Sequence, residues 1–159
     1  MNKFILAMIA LAFTAPAWPA DPPPPAPTQE QIVAEFQKDL QTKRADIMAK
    51  GLTLSAEQAA KFWPLYDQYQ KEQDAIVNGQ IAATRAYADR FASLSDADAL
   101  AYVGALLDRD GKMHDLRVKW LAKFQTVVPA RVAARAIQLD RRVSQVMQVK
   151  VSSQIPLVP

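Results

Sequence analysis

The side chains with catalytic or metal-binding potential are few and scattered. His114 is the only histidine, and Asp110 four residues before it shares its helical face. One such pair does not make a zinc or copper site, which takes three or four nitrogen or sulfur ligands. A solvated or salt-bridged histidine in a polar stretch is the plain reading, and a pH sensor is the sharper one. The chain offers no cysteine nucleophile, no glycine-rich phosphate loop and no Ser/His/Asp order, and its carboxylates fall mostly at solvent-facing helix positions. The residues therefore point to binding and not to an enzyme, with neither metal nor organic cofactor expected.

Two groups of residues are suited to binding. Arg131, Arg135 and Arg142 follow steps of four and seven, with Lys123, Arg141 and Lys150 near them in sequence. That spacing makes a basic ridge on one helix, either a plain solvated face or a docking surface for acidic clients, lipid headgroups or a protein partner. The other group is aromatic: Phe62, Trp63, Tyr66 and Tyr69 recur at spacings of three and four. Most of this cluster reads as core. Trp63 lies off the stripe marked by Phe62 and Tyr66, beside Pro64, and is expected to face partly outward. Trp63, Tyr66 and Trp120 join the three arginines as candidate contacts for a client or partner.

The start of the chain bears on compartment. Met1-Asn2-Lys3 is positively charged, Phe4 to Phe13 is an apolar run of ten, and Ala15-Pro16-Ala17 is a small-x-small cleavage site. Residues 1–17 read as a secretory signal peptide, since the apolar run is about half the ~20 residues needed to span a bilayer. Trp18 to Pro27 is a proline-rich linker of extended geometry. With no cysteine for lipid attachment or disulfides, the expected product is a free protein of a bacterial periplasm. Charge is divided along the chain: residues 18–115 hold 10 Lys/Arg against 15 Asp/Glu, and 116–159 hold 8 against Asp140 alone. Pairing of the basic part with the acidic part, in the same chain or a dimer mate, is the first expectation. A membrane surface is a weaker partner, and export argues against nucleic acid.

The elements that must position these residues are helices, in one domain over 28–159. Glycine and proline are sparse after Thr28 and alternating strand patterns are absent, so the fold class is all-α. Thr28 caps a first helix with Val33, Phe36, Leu40 and Ile47 on its stripe, and Gly51 is expected to stop it in a left-handed conformation. Leu54-Ser55, with Gln58 closing a capping box, starts a second helix of ~35 residues along Phe62, Tyr66, Tyr69, Ile76, Ala83, Tyr87 and Phe91. Pro64 should bend it. Ser95 caps a third helix, with Leu100, Val103, Leu107, Met113, Trp120, Phe124 and Val127 on its stripe; Gly111 either kinks or breaks it. Pro129 opens a fourth as a first-turn residue, with Val132, Ala136, Leu139, Val143 and Val146 inward. Ile155-Pro156-Leu157-Val158 should lie extended against a helix pair. The expected object is a thin set of long antiparallel hairpins, with a homodimer covering what one chain leaves open.

Leu54-Ser55-Ala56-Glu57-Gln58 matches the Leu-Thr-x-x-Gln motif of the periplasmic Spy/CpxP family, with serine in the capping role of threonine. Leu94-Ser95-Asp96-Ala97-Asp98 resembles the second copy, with aspartate in place of glutamine. Over about residues 52–158 the chain is similar to a subgroup of exported helical proteins marked by Phe62-Trp63-Pro64-Leu65-Tyr66 and a closing Ile155-Pro156-Leu157. The resemblance implies an ATP-independent chaperone or envelope-stress accessory protein. Spy-like members bind unfolded clients on a basic and apolar concave face of a curved dimer. The alternative is a non-chaperone adaptor that binds an envelope protein or a sensor kinase domain.

Overall fold

The computed structural model describes residues 29–159, with side chains described at residue 38 and from 41 onward. The signal peptide, the linker, the Thr28 cap and the side chains of Val33, Phe36 and Leu40 lie outside that range. Four helices make up the described chain: α1 (Gln29–Gly51), α2 (Ala56–Arg90), α3 (Asp96–Phe124) and α4 (Ala130–Ser152). A 3-10 turn, Phe91–Ser93, joins α2 to α3, and no strand occurs among the described residues. The fold is all-α, as the sequence pattern requires.

Caps set the helix starts. The Ser55 hydroxyl accepts from the Gln58 backbone N–H at 3.2 Å, and the Gln58 side chain accepts from the Ser55 N–H at 3.0 Å, so two orphan donors of the α2 terminus are satisfied. Ser95 and Asp98 repeat the box at α3. Leu54, next to the first box, packs half-buried against the core. Pro129 is the N-cap of α4, one position earlier than expected. Both long helices run unbroken past their weak points, α2 through Pro64 and Asn78-Gly79, and α3 through Gly111. Pro64 is exposed, as is Ala60, whose carbonyl the proline leaves without its helical donor; water can satisfy it there.

Gly51 corrects the expectation of a left-handed stop: no described residue has positive φ. It stays within α1, and its missing side chain admits Leu139. A Cβ at Gly51 would sit 2.5 Å from Leu139 Cδ1, so α4 approaches closely here.

Each helix runs opposite to the one before it. Phe62 and Phe124 meet with ring centroids 5.0 Å apart near one end of the α2/α3 hairpin, and Arg90 pairs with Asp98 near the other. Arg117 and Arg109 of α3 reach Asp140 and Gln148 of α4, while Arg44 and Gly51 of α1 meet Asp140 and Arg135. Gln41 to Asp74 closes the ring between α1 and α2 at 2.8 Å. This is an up-down-up-down four-helix arrangement.

Its core gathers Met48, Leu52, Phe62, Tyr66, Tyr69, Met113, Leu116, Trp120, Phe124, Val128, Ala133 and Ala136 at the end of the bundle away from the α2–α3 turn. Toward that turn Tyr87 is the one described residue buried on α2 beyond Gln73. Tyr87 stacks on Tyr102 at 4.1 Å and donates its hydroxyl to the Pro156 carbonyl at 3.1 Å, so the chain end touches the helix pair at that carbonyl, while Leu157 is 89% exposed and does not pack against it.

Three stripes differ from expectation. On α1, Ile47 is exposed while Arg44 and Met48 are buried. On α3, Leu100, Val103 and Leu107 are exposed, because at 100° per residue they lie about a third of a turn from the buried Met113, Leu116, Trp120 and Phe124. On α4 the inward residues are Ala133, Ala136, Asp140 and Ser144, and Val146 is exposed.

Ser55→Ala should lower stability by about 1 kcal/mol through the lost cap, with helix content unchanged. Urea titration followed by circular dichroism measures it; a change under about 0.3 kcal/mol would mean that water caps α2 equally well.

Candidate functional site

A buried carboxylate fixes the orientation of α4. Asp140 is 1% exposed and takes a partner from each other helix. The Tyr69 hydroxyl donates to Oδ2 at 2.7 Å, and Gln73 Nε2 reaches both carboxylate oxygens at 3.2 Å. Arg117 Nε donates to Oδ2 at 3.4 Å, and Arg44 Nε lies 3.7 Å from Oδ1. An unpaired charge buried this deeply would cost several kcal/mol, so these contacts are what permit a carboxylate inside the bundle. Tyr66 also belongs to this region; burial, with the Asp140 charge adding to it, holds its hydroxyl well above the ordinary tyrosine range. Tyr69 is raised likewise, by burial first and then by Asp140.

With Asp140 turned inward, the opposite face of α4 carries no acid. Arg131, Arg135, Arg142, Val146 and Val149 follow steps of four, seven, four and three along it, and all five are exposed. Arg135 Nε donates to the Gly51 carbonyl at 2.6 Å, which caps the end of α1. Arg131 and Arg142 point to solvent without an ion pair among the described residues. Elsewhere the expected self-pairing of basic and acidic regions is present: Lys119 bonds Glu72 at 2.7 Å and holds its carboxyl below the usual range.

The structure brings the three candidate arginines together and separates them from the candidate aromatics. Tyr66 and Trp120 are 1% and 0% exposed, which corrects their assignment as contact residues. Trp120 is held by Tyr69 and Phe124, donates Nε1–H to Glu72 at 3.2 Å, and lies under Lys123 Nζ at 4.1 Å. Trp63 is half-buried, edge-on to Phe62 at 5.3 Å and to Tyr66 at 5.8 Å, so only part of its ring meets solvent.

Asp140, Tyr69, Gln73, Arg44 and Arg117 were not singled out as a unit by the sequence reading. The available signal was Asp140 itself, the lone acid of a basic helix, four residues after Ala136 and four before Ser144.

Among the described residues, grooves run along α2 and α3. One of about 520 Å³ is lined by Glu72, Ile76, Lys112, Leu116 and Lys119 among others. Among the described residues, no cluster of three or more His, Cys, Asp or Glu side chains could hold a metal, and no helix is long and apolar enough to cross a membrane. Comparison with protein-family models, curated proteins and solved structures gives no match to the chain.

Asp140→Ala should cost about 3–5 kcal/mol, because two partly buried guanidinium groups and the Tyr69 and Gln73 donors lose their acceptor. Urea unfolding measures this, and a loss under about 1 kcal/mol would mean that water substitutes for the carboxylate.

The raised tyrosines give an alkaline signature. Below pH about 10 folded and unfolded chains both keep the phenol protons; above it the unfolded chain releases them while the folded chain retains them. Stability should therefore fall above pH about 10, by up to about 1.4 kcal/mol per pH unit for each buried tyrosine. Tyr69→Phe should flatten that fall in melting curves taken from pH 8 to 11.

Proposed function

We propose that the protein is a periplasmic ATP-independent chaperone or envelope-stress accessory protein of Spy/CpxP type, which holds partly unfolded clients on the outer face of α4. The observation that carries this reading is that face itself. Five exposed residues, three arginines and two valines, form one line on a helix whose only acid is buried beneath it. An unfolded segment exposes apolar side chains together with carboxylates. Arginine serves both, since its guanidinium pairs with carboxylates while its stem and planar head lie against apolar surface. The valines add apolar area without a pocket that would demand one sequence. Such a surface binds many segments weakly, as a holding chaperone must.

The capping motif Leu54-Ser55-Ala56-Glu57-Gln58, the Phe62–Tyr66 signature and the closing Ile155-Pro156-Leu157 support the same class through their resemblance to that family. The charged start, apolar run and small-x-small site of residues 1–17 support export to the periplasm.

An Arg131→Ser/Arg142→Ser variant tests the face and leaves the Arg135–Gly51 bond intact. Its melting curve should match the parent, because both side chains are exposed. Its suppression of aggregation of a denatured client should fall several-fold at about 0.1 M salt. The difference should shrink at about 1 M, where the Debye length drops from roughly 10 Å to about 3 Å. Equal suppression by parent and variant at both salts would assign the arginines to solvation alone.

A further inference from the structure

Two tyrosines near the α2–α3 turn form an aromatic site apart from the core. Tyr87 and Tyr102 stack with ring centroids 4.1 Å apart and planes 13° from parallel, and Phe91 meets Tyr87 edge-on at 5.5 Å. Beside them lies a pocket of about 140 Å³, several times the roughly 30 Å³ that one water takes in the liquid, so a five-membered ring fits it. Its remaining walls are small, Ala83 and Ala86 on α2 and Ala101 on α3, and Arg90 with its partner Asp98 stands at the edge.

The chemistry of this site suits proline. A polyproline backbone has carbonyl acceptors and no N–H, and its rings are stiff, so a surface that holds it must offer aromatic walls together with hydrogen-bond donors. Both are present. The Tyr87 hydroxyl already donates to a proline carbonyl, that of Pro156, at 3.1 Å. The Arg90 guanidinium adds N–H donors beyond the one it gives to Asp98.

A ligand of this kind is carried by the chain itself, in Pro22-Pro23-Pro24-Pro25-Ala26-Pro27, which stops one residue short of α1. Helix α1 runs antiparallel to α2, and Gln41 bonds Asp74. Gln29 lies as far before Gln41 as Ala86 lies after Asp74, about 18 Å along each helix, so α1 begins level with the pocket. At 100° per residue Ala83, Ala86 and Arg90 sit about 120–180° around α2 from Asp74, which leaves one helix width, about 10–12 Å, to cross. A polyproline rise of about 3.1 Å per residue carries Pro24 about 15 Å, and Pro22 about 22 Å, from Gln29. The segment is long enough to reach the pocket.

We propose that the Tyr87–Tyr102 pocket is a proline-binding site whose occupant is the chain's own segment 22–27, laid across α2 with a proline ring between the alanines and the tyrosine rings. The contact ties the start of α1 to the half of the bundle that has little core. It is separate from the outer face of α4 and forms without a client.

The absence of cysteine allows a direct test on the chain from residue 18 onward. A Pro24→Cys/Ala86→Cys variant should oxidise to an intramolecular disulfide, which requires Cα atoms within about 7 Å. Adding Pro22→Ser, Pro23→Ser and Pro25→Ser keeps the tether length but removes the polyproline geometry, and should slow the oxidation at least about tenfold; a mere spacer would cross-link as fast or faster with serine. In NMR spectra of chains without the cysteines, the same three serines should shift the Tyr87 and Tyr102 ring signals and leave those of Trp120 in place. A synthetic peptide of residues 21–27, added at about millimolar concentration, should move the tyrosine signals of the serine variant back toward the parent's. Equal oxidation rates with proline and serine, tyrosine signals indifferent to the segment or to the peptide, or disulfides formed only between chains would each overturn the proposal.

Discussion

The arrangement of the bundle depends on the carboxylate of Asp140, which sits on α4 and is held by Arg44 of α1, Tyr69 and Gln73 of α2, and Arg117 of α3. Apolar packing is tolerant of helix rotation, because Leu, Val and Ala exchange neighbours at small cost. A buried charge is not tolerant, since a shift of even an ångström leaves donors and acceptor unpaired in a medium where that costs several kcal/mol. The Asp140 cluster therefore sets the rotation of α4 about its axis and the register of the other helices against it. The small inward neighbours Ala133, Ala136 and Ser144 let those helices come close enough to reach it.

That rotation has a consequence on the opposite side of the helix. With Asp140 inward, Arg131, Arg135 and Arg142 must point outward, and no acid on α4 is left to neutralise them. The aromatic residues take the opposite part: Phe62, Tyr66, Tyr69, Trp120 and Phe124 form a contiguous ring cluster that supplies most of the bulk of a narrow core. Rigidity comes from the rings and the buried ion cluster. The surface left for partners is basic and aliphatic.

The core is also unevenly distributed. It is dense beside the aromatic cluster and thin toward the α2–α3 turn, where Tyr87, Tyr102 and the Pro156 carbonyl form a small separate contact. The exposed Leu100, Val103 and Leu107 belong to this thin half. The exposed apolar residues of α3 thus form a strip separate from the basic face of α4, which carries Val146 and Val149 of its own.

The sequence alone determined what depends on neighbours in the chain. Helix positions followed from the 3.6-residue pattern and the scarcity of glycine and proline, and the Ser55–Gln58 and Ser95–Asp98 caps are interactions over three residues. The basic line on α4 was legible for the same reason, because spacings of four and seven place residues on one side of any helix. Tertiary structure decided which side of each helix faces inward. Leu100, Leu107 and Val146 looked like core and are exposed, while Asp140 and Gln73, which stood on no expected apolar stripe, are buried, because a polar group enters the interior only when other helices bring its partners. Gly51 shows the same limit: its role is the close approach of Leu139, 88 residues away, and no local pattern announces a contact between residues so distant in the chain.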